Sequence, residues 1–272
     1  MPADPVRHRA AVLGSPIAHS LSPLLHNAGY AALGLSDWEY TSREVTEAEF
    51  DDVIASLDGT WRGLSVTMPL KEVAFDVASS VSDLAARSGA INTLVRRPDG
   101  GWDGHNTDVA GIVESLRPLD LDDHAVVIGA GATARSAVLA LNILGVSQVT
   151  VAARRIDASE DLVAFTEKQG LSARGILLED WSRQAARLVL STVPAEAGPR
   201  LAAAAAGTDL RLVFFDVVYA NWPTPPAAAV SAAGGTTVSG LEMLLHQAAT
   251  QFELFTGRQV GVDTLRASVE NR

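Results

Sequence analysis

His124-Ala125-Val126-Val127-Ile128-Gly129-Ala130-Gly131-Ala132-Thr133-Ala134 is the stretch that decides how this chain folds. An apolar run of strand length passes straight into a glycine pair, and an Ala/Leu-rich helical pattern follows to Leu144, closed by Gly145. Continuous apolar runs of this kind suit a strand of a parallel sheet with helices on both faces. Glycine at the turn lets the chain tighten and brings backbone N–H groups close to a pyrophosphate at the helix N-terminus. Ala134 stands at the third glycine of G-x-G-x-x-G and is small enough for the packing required there. The alternative is a βα turn that serves structure alone.

Working outward, residues 148–152, 188–191 and 210–215 read as further strands alternating with helices, which implies a parallel sheet with right-handed crossovers. Upstream, residues 10–13, 38–45, 63–67 and 90–96 read as strands, and residues 23–33 and 47–57 as helices. Pro98-Asp99-Gly100-Gly101 is a turn. The polar segment Asp103-Gly104-His105-Asn106 then leads into a helix from Thr107, and the domain boundary is placed there. The expected class is α/β with two domains. Residues 1–106 form a substrate-binding α/β domain, to which residues 241–272 return, and residues 107–240 form a Rossmann-type dinucleotide-binding domain.

Composition narrows the function. The chain has 272 residues, 47% of them hydrophobic, so it can bury a substantial core. A net charge of −11 argues against a nucleic-acid partner, because no basic face is available to neutralise phosphates. Cysteine is absent, which removes disulfides and thiolate chemistry. There is no His and carboxylate cluster at ligand spacing, so no metal is expected. The start, Met-Pro-Ala-Asp-Pro, lacks an export signal, and no apolar stretch approaches the ~20 residues of a membrane span. The expectation is a cytoplasmic protein without a membrane partner.

The end of the second strand of the nucleotide domain reads Ala152-Ala153-Arg154-Arg155, with no carboxylate before Asp157. A site for NAD wants an acidic residue there for the ribose 2′-hydroxyl, whereas guanidinium groups suit a 2′-phosphate. The pattern favours NADP, although arginines at strand ends are often merely solvated. In the other half, Gly14-Ser15-Pro16-Ile17-Ala18-His19-Ser20-Leu21-Ser22-Pro23 places Ser20 and Ser22 just ahead of a proline that can open a helix. In an extended segment both hydroxyls face the same way, and with the helix N-terminus they form a receptor for a carboxylate or phosphate. An ordinary Ser-Pro helix cap is the alternative. Leu64-Ser65-Val66-Thr67-Met68-Pro69-Leu70-Lys71 reads as a strand ending at Thr67 and a helix starting at Pro69, with Lys71 about one turn in. Asp108 falls near the start of the helix at the boundary, and Asn92 is a polar residue in an apolar strand. Taken singly, these read as a solvated lysine, a helix-dipole partner and a satisfied core amide.

Taken together, the motifs resemble one family. Gly14 to Asn27, Ser65 to Lys71, Gly89-Ala90-Ile91-Asn92-Thr93-Leu94, Asn106-Thr107-Asp108-Val109-Ala110-Gly111, Gly129 to Arg135, Asp216-Val217-Val218-Tyr219 and Gly240-Leu241-Glu242-Met243-Leu244-Leu245-His246-Gln247 occur in that order. Across nearly its whole length the chain resembles the NADP-dependent shikimate dehydrogenases, in their actinobacterial form. The resemblance implies reversible NADPH-dependent reduction of 3-dehydroshikimate to shikimate, in the pathway to aromatic amino acids. It implies that Lys71 and Asp108 are the catalytic pair and that Ser20 and Ser22 bind the substrate carboxylate. Thr67, Asn92, Asp108 and Gln247 would bind the ring hydroxyls, and Tyr219 would line the substrate site. Gly129, Ala130, Gly131, Ala132 and Thr133 would form the phosphate loop, Arg154 and Arg155 would hold the 2′-phosphate, and Gly240 and Met243 would flank the nicotinamide. The partner is then a small molecule, and the protein a monomer or homodimer.

Three positions depart from the family's pattern: Ser65 replaces an asparagine, Ala132 a further glycine, and Ala153-Arg154-Arg155 an Asn-Arg-Thr. Two rivals remain open at this point. One is a quinate/shikimate dehydrogenase using NAD, against which the arginine pair speaks. The other is a silent paralogue binding a shikimate-like regulator, against which intact Lys71 and Asp108 speak.

Overall fold

A computed structural model describes residues 6–206, 208 and 210–270. Met1 to Pro5, on which the reading of the chain's start rests, lie outside the described residues. In chain order the first elements are β1 (His8–Gly14), α1 (Ser22–Ala32), β2 (Trp38–Glu44), α2 (Glu47–Ala55), β3 (Trp61–Val66), α3 (Ala74–Val77), β4 (Ser80–Val81), α4 (Asp83–Ser88), β5 (Thr93–Arg96), β6 (Trp102–His105) and α5 (Asp108–Leu116). There follow β7 (His124–Ile128), α6 (Ala132–Ile143), β8 (Gln148–Ala153), α7 (Asp157–Lys168), β9 (Ser172–Leu177), β10 (Leu188–Ser191), α8 (Gly198–Ala205), β11 (Val213–Asp216), α9 (Pro225–Ala232), β12 (Thr236–Ser239), α10 (Gly240–Thr256) and α11 (Val262–Glu270). Two compact units result, one running up to Ala110 and resuming from Leu244, the other comprising Gly111–Met243.

The second unit is a parallel sheet in the order β12-β11-β10-β7-β8-β9. Counted within the unit, this is the doubly wound order 3-2-1-4-5-6 of a Rossmann-type domain. Every apolar residue of β7 from Ala125 to Ile128 is fully buried, as a strand covered on both faces must be. Its glycine turn lies where the strand order reverses, between β7 and β10, the place at which such sheets bind ligands. Ala134, Ala137, Val138, Ala140 and Leu141 bury one side of α6.

The first unit has a mixed sheet, β2-β1-β3-β5-β6-β4, in which β2, β1 and β3 are parallel and β5 and β6 antiparallel. Leu13, Phe50, Leu64, Val66, Leu94 and Trp102 form its core. Helix α2 starts with a capping box, in which Glu49 Oε2 accepts from the Thr46 N–H and hydroxyl at 3.0 and 2.7 Å.

Several local expectations are corrected. Residues 103–105 belong to strand β6 and are not a polar linker. Gly104 sits in that strand because a Cβ there would lie 2.5 Å from Ile91 Cδ1. Lys71 is not in a helix: the segment after Thr67 is a run of turns, with Leu70 N–H donating to Thr67 O and Ala74 N–H to Leu70 O. Asn92 lies one residue before β5, since Ile91 N–H is diverted to Lys71 O at 2.9 Å. Leu210 and Leu212 are apolar because they are buried, while strand β11 begins only at Val213. Leu21 is helical (φ −84°, ψ −8°), so Ser20 and Ser22 are not an extended pair. Instead Ser20 Oγ accepts from the Ser22 N–H at 3.3 Å.

His26 on α1 is fully buried, stacked on Tyr40 with ring centroids 4.1 Å apart and flanked by Phe252 and Phe255. Burial lowers its pKa from 6.5 to about 3, only partly offset by Gln251. The unfolded chain takes up this proton below pH 6.5 whereas the folded protein refuses it until about pH 3, so stability is lost as pH falls through that window. His26→Phe should flatten the pH dependence of the unfolding free energy between pH 6 and 4 by about 1.4 kcal/mol per pH unit. Urea unfolding of wild type and variant at several pH values measures it, and parallel curves would show that His26 is not the group responsible.

Candidate active site

The site in the first unit is built around one carboxylate. Asp108 opens α5, and its own N–H donates to Asn106 Oδ1 at 3.0 Å, the local turn that directs the side chain inward. The carboxylate is only 3% exposed, and each oxygen has its own partner. Lys71 Nζ donates to Oδ2 at 2.5 Å, and Asn92 Nδ2 donates to Oδ1 at 2.8 Å. Asn92 Nδ2 also reaches Gln247 Oε1 at 3.3 Å. Lys71 keeps 16% of its side chain exposed, and its ammonium is held by Asp108. A charge pair this buried stands only because both members are present; loss of either leaves an uncompensated ion.

Asn92 is fixed from behind. Its Oδ1 accepts from Thr93 Oγ1 (2.8 Å), Thr107 N (2.8 Å) and Thr107 Oγ1 (3.1 Å), which leaves the amide nitrogen facing Asp108. Behind these lies a layer in which the motifs include Ser65 and Thr93 but single out neither Tyr40 nor Gln251. Gln251 Nε2 donates to Thr93 Oγ1 at 2.9 Å, Ser65 Oγ donates to Gln251 Oε1 at 2.8 Å, and Tyr40 OH donates to Ser65 Oγ at 2.6 Å. The available signal was Gln251 standing one helical turn after Gln247, on the same face of α10. Burial raises the pKa of Tyr40 far above the ordinary phenol value, against hydrogen bonds with Ser65 and Ser22.

The loop carrying Ser20 and Ser22 is tied to Thr67. Ser15 N–H donates to Met68 O at 3.0 Å, and Gly14 is glycine because a Cβ would meet Thr67 Cγ2 at 2.4 Å. Ser22 is buried at the start of α1, and Ser20 is half-buried ahead of it.

In the second unit, Gly129 has φ +109°, and a Cβ there would sit 2.5 Å from Thr192 Oγ1. Gly131 is the N-cap of α6, with no side chain capping the amides of Ala132, Thr133 and Ala134, and open space around it. Arg154 and Arg155 follow the neighbouring strand β8, both exposed, with Arg155 paired to Asp157 at 3.1 Å. Open amides at a helix N-terminus beside two guanidinium groups fit a dinucleotide carrying a 2′-phosphate. Tyr219 is half-buried after β11, in a loop organised by Asp216, whose carboxylate accepts from Thr224 Oγ1 (2.8 Å) and Val218 N (3.2 Å). Burial raises the pKa of Asp216, opposed by those bonds. Gly240 opens α10 where a Cβ would collide with Val217 O at 2.1 Å, and Met243 is buried one turn on.

Residues 12–94 match the family model of the shikimate dehydrogenase substrate binding domain, and residues 240–270 that of the shikimate 5′-dehydrogenase C-terminal domain. The NADP(+) shikimate dehydrogenase of Caulobacter vibrioides is 38% identical over 262 residues, covering 91% of this chain and 89% of that protein. The chain belongs to the shikimate dehydrogenase family. Among solved structures, shikimate dehydrogenase from Mycobacterium tuberculosis superposes with a TM-score of 0.88 at 42% identity, covering 97% of this chain and 100% of that one. The Thermus thermophilus enzyme, solved with NADP(H) and shikimate, gives 0.81 at 30% identity over 97% and 99% of the two chains. The family's two-domain α/β architecture is the one described above.

The two glycines of the nucleotide turn should respond differently to a methyl group. Gly129→Ala forces both a positive φ and a collision, and should cost about 1–3 kcal/mol of stability. Gly131→Ala meets no atom and an ordinary backbone angle, and should cost less than about 1 kcal/mol. Urea midpoints of the two variants compare them; equal losses would contradict this geometry.

Proposed function

We propose that this chain catalyses the reversible NADPH-dependent reduction of 3-dehydroshikimate to shikimate, with Lys71 and Asp108 as the catalytic pair. Membership of the NADP(+)-dependent shikimate dehydrogenase family supports the reaction. The observation that carries the residue assignment is the 2.5 Å contact of the ammonium of a part-exposed lysine with a buried carboxylate, beside the amides of Asn92 and Gln247.

The bound dinucleotide supplies the hydride. Reduction turns the ring carbonyl into an alkoxide, and the chain must stabilise that charge and deliver a proton to it. Lys71 Nζ does both: an N–H not spent on Asp108 donates to the oxygen and transfers its proton, which water then restores. Asp108 Oδ2 aims the ammonium, while Asn92 holds Oδ1 and keeps the carboxylate from turning. Thr67, Asn92, Asp108 and Gln247 grip the ring hydroxyls, and Ser20 and Ser22 bind the carboxylate at the start of α1. In the second unit, Gly129 to Thr133 would cradle the pyrophosphate, Arg154 and Arg155 would take the 2′-phosphate, Gly240 and Met243 would flank the nicotinamide, and Tyr219 would bind substrate. Arg155 must exchange its partner Asp157 for the phosphate, so Arg154 is the readier of the two. No helix among the described residues is long and apolar enough to cross a membrane. We place the enzyme in the cytoplasm as a monomer or homodimer.

Initial rates with shikimate or quinate, each against NADP+ or NAD+, test the reaction. Shikimate with NADP+ should be the best pair, and a preference for quinate with NAD+ would overturn the proposal. Lys71→Ala should lower kcat by about 10²–10⁴-fold with a smaller change in the KM for shikimate. A folded, saturated Lys71→Ala enzyme with near-normal kcat would remove Lys71 from the mechanism.

Arg154→Ala and Arg155→Ala should weaken NADP+ about tenfold or more, the scale of one charged hydrogen bond, while leaving NAD+ nearly unaffected. Fluorescence titration of each variant with both cofactors reads this, and equal weakening would show that the arginines do not sense the 2′-phosphate.

A further inference from the structure

We propose that Tyr40, Ser65 and Gln251 form a positioning layer for the reaction: a buried hydrogen-bond chain that runs from Tyr40 to the Lys71–Asp108 pair. The inference rests on the catalytic assignment above. From Tyr40 the contacts pass to Ser65, Gln251, Thr93, Asn92, Asp108 and Lys71 without a break. Tyr40, Ser65, Gln251, Thr93, Asn92 and Asp108 are each 5% exposed or less, so no water competes for their hydrogen bonds.

The direction of every donor is determined. Asp108 only accepts, so Asn92 must present its nitrogen to it and its oxygen to Thr93 and Thr107. Thr93 then spends its one proton on Asn92, and must itself be approached by a donor, which Gln251 Nε2 provides. This turns Gln251 Oε1 toward Ser65, which donates to it and in turn receives from Tyr40. Amides and hydroxyls aligned in one sense polarise one another, and the polarisation ends on the carboxylate that aims Lys71. Ser65 departs from the family's asparagine at this position; here the shorter side chain is completed by Gln251, which spans the gap from α10, 186 residues away in sequence. None of Tyr40, Ser65 and Gln251 needs to touch substrate for this role.

Gln251→Met keeps the length and volume of the side chain but neither accepts from Ser65 nor donates to Thr93. With the wild-type enzyme turning over shikimate and NADP+, the variant should lose about tenfold in kcat. Its KM for NADP+ should be unchanged, and its KM for shikimate should move less than kcat. The deciding measurement is the same substitution made in Asp108→Asn, followed by single-turnover rates. A residue acting through Asp108 should cost nothing further there, whereas a merely structural residue would cost the same factor in both backgrounds. Wild-type kcat in Gln251→Met, or equal losses in both backgrounds, overturns the proposal while leaving the enzyme reading intact; a wild type inert toward shikimate overturns both. Should Gln251→Met fail to fold, Ser65→Ala removes a single hydroxyl and is put through the same cycle, with an expected loss of about threefold.

Discussion

Everything in the first unit is arranged around the cost of burying Asp108. A carboxylate this far from water is tolerable only if both oxygens are satisfied and its charge is balanced. Lys71 meets the charge, Asn92 meets the second oxygen, and the Asn106 turn sets the direction from which the side chain enters. Each of these partners carries a requirement of its own. Lys71 is brought in by the turns after β3, Asn92 is clamped between Thr93 and Thr107, and Thr93 is served by a helix from the far end of the chain. The mixed sheet makes this possible, because β3 and β5 are antiparallel neighbours and place residues 65–67 beside 92–93.

The same buried charge bears on the role proposed for the lysine. An ammonium in open solvent would sample many rotamers and spend its hydrogen bonds on water. Pinned to Asp108, it would, in the proposed mechanism, meet a developing alkoxide without reorganisation. In the proposed mechanism, structural constraint and chemical role are one arrangement. In the second unit, a glycine turn and a pair of exposed guanidinium groups, the residues proposed to hold the dinucleotide, stand on adjacent strand ends.

Local order was legible wherever one physical requirement dominated. The apolar run of β7 and its glycines announced a buried parallel strand and a tight turn, because no other residue pattern satisfies both demands. Pro23 and the small residues around it marked the start of α1. Strand β6 escaped notice because its Asp103, Gly104 and His105 are polar or small, and what makes them a strand is pairing with β5 and the packing of Gly104 on Ile91. The helix expected at Pro69 is a run of turns, since the backbone there is committed to Thr67, Ile91 and the loop from Gly14.

The order of motifs along the chain was enough to determine the family, the α/β class and the residue types that carry charge. Spacing could also indicate that Gln251 follows Gln247 on one helix face. Which way the Asn92 amide turns, which hydroxyls join Tyr40 to Gln251, and that Ser65 is completed from α10 were decided only by the tertiary structure. The reason is range: periodicity and capping report on neighbours within a few residues, whereas the Lys71–Asp108 pair spans 37 positions and the Ser65–Gln251 bond 186. Hydrogen-bond direction is a property of the closed network, and no single residue type contains it.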